Sequence, residues 1–229
     1  MADFNSPFYP YEKVYPGYLT GLGSELIPDK LMRYIMDLPD AEGYEPKDDN
    51  TRPRVKLMKY LWYDGAKPLD QPLPTPEQKI SLLYNGETPV VNTDEEKKDH
   101  PNGYRLFPQQ FWIPAEYRAG SLIKCYMGRN LPYSPVQWEL GVIFEIIVNY
   151  QQDNNLKTRA MSRLYAMEQA LIHSLHGVNI TGVGGMNFNR VVHMDDGSHY
   201  FHDDGTSIGR QIAFSVTWKE SKPTGSVVE

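Results

Sequence analysis

Val142-Ile143-Phe144-Glu145-Ile146-Ile147-Val148, with the chain that follows it to Trp218, decides the fold class. The run is almost wholly apolar and too short to cross a membrane, so it predicts the buried central strand of a sheet. A long helix is expected next. Asp153-Asn154-Asn155 suit an N-cap, and Ala160, Leu164, Met167, Leu171 and Leu175 recur at helical spacing. Lys157, Arg159, Arg163 and Glu168 lie mostly off that stripe, and Gly177 can supply a left-handed cap. Strands are then expected at about 180–194 and 211–218. In the second, Ile212, Phe214, Val216 and Trp218 alternate with Gln211, Ala213, Ser215 and Thr217, which predicts one buried and one polar face. Residues 195–205, with Asp-Gly turn signals at both ends, read as the tip of a long hairpin over 180–218. The result is a β-α-β-β core.

Working towards the N-terminus, Ser121 to Met127 reads as a strand closed by Gly128, with Pro132 and Pro135 marking the connection onward. Phe111, Trp112, Ile113 and Pro114 form an aromatic knot, and Tyr104 to Pro108 predicts a short strand. Residues 85–103 carry an Asn-Gly turn and the charged tip Asp94 to Asp99. Lys79 to Tyr84 is read as a strand, and 64–77 as a proline-punctuated, extended excursion. Arg54 to Trp62 also reads as a strand, since Val55, Leu57 and Leu61 fall on one face. Ser24 is a candidate cap for a short helix ended by Pro39. Residues 1–22, with Tyr9, Tyr11, Tyr15 and Tyr18 among prolines, have no periodicity yet too many aromatics for a solvated tail. They are expected to form an extended arm, lying on their own subunit or on a neighbour. The expectation is therefore α+β, with a mostly antiparallel sheet, one long packed helix, a short N-terminal helix, and long extended loops and arms. Residues 23–229 form a single domain behind the arm.

Hydrophobic residues at 40% and charged residues at 23% are ordinary for a globular protein, and 229 residues can bury a substantial core. A formal charge of −6 argues against a chain whose task is to grip phosphates. Cys125 is the only cysteine, so neither an intrachain disulfide nor a zinc site built on several cysteines can form within one chain. Without a basic region followed by an apolar run at the start, assembly in a reducing cytoplasm is expected.

His193, Asp195, Asp196, His199, His202, Asp203 and Asp204 have the ligand types of a divalent-metal site, which would make the chain a metal-dependent hydrolase. They fall mostly in an expected turn and lack a His-Glu-x-x-His pattern, so a solvated hairpin tip is the simpler account. There is no Gly-x-Ser-x-Gly elbow, and Cys125 alternates with Ile123 and Met127 as a small core residue. Gly182-Val183-Gly184-Gly185 follows a helix and lacks a P-loop's Lys-Ser/Thr ending, which suits a turn entering a strand. His173 and His176 fit the dipole at the end of the long helix. No catalytic residue and no cofactor is predicted. Trp62, Trp112 and Trp138 sit in or beside proline-rich connections, where packing under loops and a protein interface both account for them. Candidate contact residues are Tyr9, Tyr11, Tyr15, Tyr18, Trp62, Trp112 and, on the hairpin, His199, Tyr200 and Phe201.

The strand from Val142 to Tyr150, the helix through Arg163-Leu164 and Leu171-Ile172, and Gly177-Val178 leading to Gly209 through Trp218 resemble the α+β core of tail-terminator and related head-tail completion proteins of tailed bacteriophages. Ser121 to Arg129 fits the same picture as a preceding strand. The likeness is one of topology and covers the last third to half of the chain. It implies a subunit of a ring, usually sixfold, that caps the tail tube and joins it to the neck within the virion. The implied partners are sister subunits, tail-tube and neck proteins, with DNA passing through unbound and no membrane involved. A baseplate or other tail adaptor is the alternative of the same kind.

Overall fold

A computed structural model describes residues 26–40, 42–84, 103–109, 120–134, 137–154, 161–188, 198–203 and 206–219. Its centre is the strand expected from the Val142 run. β2 (Ser121–Ser134), β3 (Gln137–Asn149) and β7 (Ser207–Lys219) form an antiparallel trio with β3 in the middle. β1 (Leu106–Phe107) pairs parallel to β2 at one side. On the other side lie β5 (Gly184–Phe188), then β4 (Asn179–Ile180), in the order β1-β2-β3-β7-β5-β4. β6 (Ser198–Asp203) shares β7's outer edge with β5, β5 opposite residues 214–217 and β6 opposite 208–212. The α+β class and the mostly antiparallel sheet are as expected.

One face of the sheet carries the core. Ile123 and Cys125, then Val142, Phe144 and Ile146, then Ile212, Phe214 and Val216 are all fully buried, each set at period two. Phe144 and Phe214 meet edge to face across the β3–β7 pair, with ring centroids 5.6 Å apart. Burial pushes the Cys125 thiol well up, as befits a core residue.

Three helices back this face: α1 (Ile27–Ile35), α2 (Pro53–Trp62) and α5 (Arg163–Leu175). α5 buries Leu164, Met167, Leu171 and Leu175 of the expected stripe, with Ala170 beside them, and Gly177 follows with φ +76°. It begins later than expected, because Ser162 is its cap and accepts the Tyr165 amide at 3.2 Å. Asp153 contributes from α4 (Tyr150–Asn154), accepting the Leu164 amide at 2.8 Å. Ala160 lies outside the described residues. Arg163 and Glu168, expected off the stripe, are buried.

Six expectations are corrected. Residues 54–62 are helical, because Val55, Leu57, Met58, Lys59, Tyr60 and Leu61 are all buried. Apolar residues all round leave period two and period 3.6 indistinguishable, and Pro53 at the first position favours the helix. Lys79–Tyr84 is not a strand: α3 (Pro76–Ser81) occupies most of it, and only Leu83 bridges to Leu106. Thr75 and Gln78 form a capping box that starts α3, and a 3₁₀ turn occupies Pro68–Asp70, so the 64–77 excursion is only partly extended. β2 runs past Gly128 to Ser134, its register shifting between Met127 and Asn130. Residues 198–203, expected in the hairpin tip, are strand and pair with β7. Pro39 does not end α1 either; Asp37, with φ +52°, does. Ser24, the arm 1–22, the 85–102 part of the excursion and the aromatic knot lie outside the described residues.

Gly184 is required where it stands. Its φ is +117°, and a Cβ there would lie 2.4 Å from the Thr217 carbonyl oxygen. Residues 181–183 are thus a turn delivering the chain to β5, which Gly184 and Gly185 begin.

Candidate functional site

Of the candidate metal ligands weighed above, Asp196 and Asp204 lie outside the described residues. His193 and Asp195 fall outside them. His199 and His202 stand on β6 opposite Gln211 and Gly209, on a strand with an irregularity between Tyr200 and His202. No group of three His, Cys, Asp or Glu able to hold a metal occurs among the described residues. Of the expected contact residues, Trp62 is half-buried at the end of α2 against the core, and Tyr200 and Phe201 lie on β6. Tyr9, Tyr11, Tyr15, Tyr18 and Trp112 lie outside the described residues. No helix among the described residues is long and apolar enough to cross a membrane.

Buried charge is concentrated elsewhere, at three places. The first is the C-terminal end of α2, whose last carbonyls have no intrahelical partners. Arg163, from α5, donates to the carbonyls of Tyr60, Tyr63 and Gly65 at 3.0, 2.7 and 2.6 Å. Arg105, beside β1, donates to the Leu61 carbonyl at 2.7 Å and grips Asp64 through both guanidinium nitrogens at 2.6 and 2.9 Å. Burial works against the Asp64 carboxylate, yet the Arg105 pair outweighs it and holds Asp64 below its ordinary range. Two arginines distant in sequence thus replace a glycine cap and join α2 to α5 and the sheet.

The second place is Asp37, buried at the end of α1. It accepts from Tyr44 Oη at 2.8 Å and from Arg54 Nη2 at 2.9 Å, while buried Lys79 donates to its carbonyl at 2.9 Å. Burial lowers the Lys79 ammonium from its ordinary value, and Asp37 opposes that. Arg54 also covers the Tyr34 ring at 4.5 Å. This node ties α1, α2 and α3 together.

The third lies on the sheet face away from the helices. Glu145, at the middle of β3, accepts from Tyr126 Oη at 2.5 Å and from Gln211 Nε2 at 3.3 Å, with Lys124 Nζ 3.7 Å away. Burial and the Glu145 bond push the Tyr126 phenol far up, so it stays protonated. All three partners are neighbours of Glu145 across the β2–β3–β7 ladder. The carboxylate is occupied in cross-strand bonding rather than held ready for proton transfer. A smaller apolar cluster of Tyr84, Tyr104, Phe107 and Leu122 adjoins it.

A groove of about 580 Å³ opens between α2 and α5, walled by Pro53, Tyr60, Leu69, Met161 and Ala170 and edged by Lys56, Lys67, Asp70 and His173. Sequence reasoning missed all of these. Glu145 alone carried a signal, a carboxylate inside an otherwise apolar run. The arginine and Asp37 nodes combine residues up to 103 positions apart, which no local pattern reveals.

Among comparisons with known proteins, the model of the YomW family matches residues 55–216, from α2 to the last strand. No curated protein and no solved structure matches.

Proposed function

Because the chain belongs to the YomW family, which is phage-related, we propose that it is a structural subunit of a tailed-phage particle. The finer proposal is a homo-oligomeric ring, sixfold in the simplest case, that terminates the tail tube and joins it to the neck. It is assembled in the host cytoplasm and carried in the virion. The observation that carries the phage setting is the family match over residues 55–216, most of the helix-backed sheet. The use of buried charge supports it. Arg105, Arg163, Lys59 and Lys79, all buried, each donate to a backbone carbonyl of another segment, an investment in rigidity that suits a building part. The sheet's outer strands β1 and β4 have two residues each, which limits uncontrolled edge pairing and leaves assembly to chosen surfaces. On this proposal the chain performs no reaction, and its charge of −6 suits a ring that passes DNA without holding it.

Light scattering and negative-stain imaging of the purified chain, alone and with tail tubes, test the proposal. Rings seated on the neck-proximal tube end are expected. A chain that stays monomeric and never caps a tube would refute it, and seating at the opposite end would make it a baseplate adaptor.

A further inference from the structure

We infer that the groove between α2 and α5 receives the acidic loop around Asp40, Glu42 and Glu45 of a second copy of this chain. The inference rests on the self-assembly proposed above and names the surfaces that would meet. The groove edge carries Lys56 and Lys67 against the single carboxylate of Asp70. Lys67 lies 3.9 Å from Asp70 with both side chains more than 60% exposed, a weak local pair. Lys56 makes no ion pair among the described residues. His173 adds a hydrogen-bonding imidazole, and Met161, 39% exposed, an apolar contact at the mouth.

The proposed occupant is braced by hydrogen bonds at its described residues. Asp40 Oδ1 accepts the amides of Glu42 and Tyr44, both at 3.0 Å, and Tyr44 Oη is anchored on Asp37. Gly43, at the tip with φ +90°, has nothing within 4 Å of where a Cβ would stand, so the tip faces open space. Asp40, Glu42 and Glu45 are exposed and make no ion pair among the described residues. A fixed loop loses little conformational freedom on docking. Two copies of a chain carrying −6 repel one another over most orientations, so a cationic groove meeting an acidic loop selects one.

The test uses the full-length chain and charge reversal on each side: Lys56→Glu with Lys67→Glu, Glu42→Lys with Glu45→Lys, and all four together. Oligomer mass is followed by sedimentation velocity at low and high salt, with circular dichroism to verify folding. Each reversed pair is expected to weaken association about tenfold or more, the four-fold variant to restore it, and salt to weaken the wild-type assembly. Lys56→Gln and Glu45→Gln, milder changes at a half-buried and an exposed site, are expected to weaken it in the same direction and stand in for any reversal that misfolds. A wild type that assembles while the reversals change nothing, or a four-fold variant no better than either pair, overturns the docking alone. A wild type that stays monomeric at every concentration overturns self-assembly and the docking with it.

Discussion

Arg163 occupies a position where a helix packed on a core would ordinarily place an aliphatic residue, and it is fully buried there. It is tolerated because its donors meet carbonyls that the end of α2 leaves open, so charge and orphaned acceptors resolve each other. Arg163→Met keeps much of the stem and removes the donors. It is predicted to lower stability by about 3 kcal/mol or more in urea unfolding, and a loss below about 1 kcal/mol would show the tie to be dispensable. Asp64 gives a pH signature. Its folded carboxyl lies below its unfolded value of about 3.9, so the stability it contributes is fully present above that value and is lost as pH falls through the depressed folded value. Asp64→Asn is expected to flatten the melting temperature against pH in that acid window, and an unchanged slope would contradict the pairing. Neither residue was legible as a tie beforehand, since both are ordinary surface types, and their partners are distant backbone carbonyls for Arg163 and a guanidinium 41 positions away for Asp64.

Legibility follows the clarity of the period. β3, α5 and β7 were readable because each has one dominant face, or none exposed, over many residues. α2 was not, because a short segment buried all round satisfies both periods, and the tertiary ties of Arg105 and Arg163 at its end have no local trace. α3 was misread although Thr75-Pro76-Glu77-Gln78 carries a capping box, a signal obscured by the run of prolines before it. Residues 198–203 were read as part of the hairpin tip because Asp-Gly and Gly-Ser pairs signal turns whether or not the chain returns to the sheet. At this scale α5 is the element on which the fold depends. Leu171→Ala is predicted to cost about 2–5 kcal/mol by leaving a cavity between helix and sheet. Leu171→Asp is predicted to abolish cooperative unfolding, because an unpaired carboxylate would sit in that layer; a folded Leu171→Asp protein would contradict the packing.

For the whole molecule, the core described above is built from residues 27–216 of the helix-backed sheet. Deleting residues 1–20 is accordingly predicted to leave the unfolding transition unchanged while reducing ring formation or tube capping, measured by calorimetry and negative-stain imaging. A truncated chain that fails to fold would assign the arm to the core instead. His199 and His202, candidates in the metal-hydrolase alternative, stand along a paired strand. The sheet with its charged ties has the character of a rigid part, and membership of a phage-related family gives that part a setting. The central claim is that this subunit is built into the particle. Cryo-electron microscopy of intact particles tests it most directly: the account predicts a ring of this fold at the junction of tail tube and neck, and particles lacking the chain altogether would contradict it.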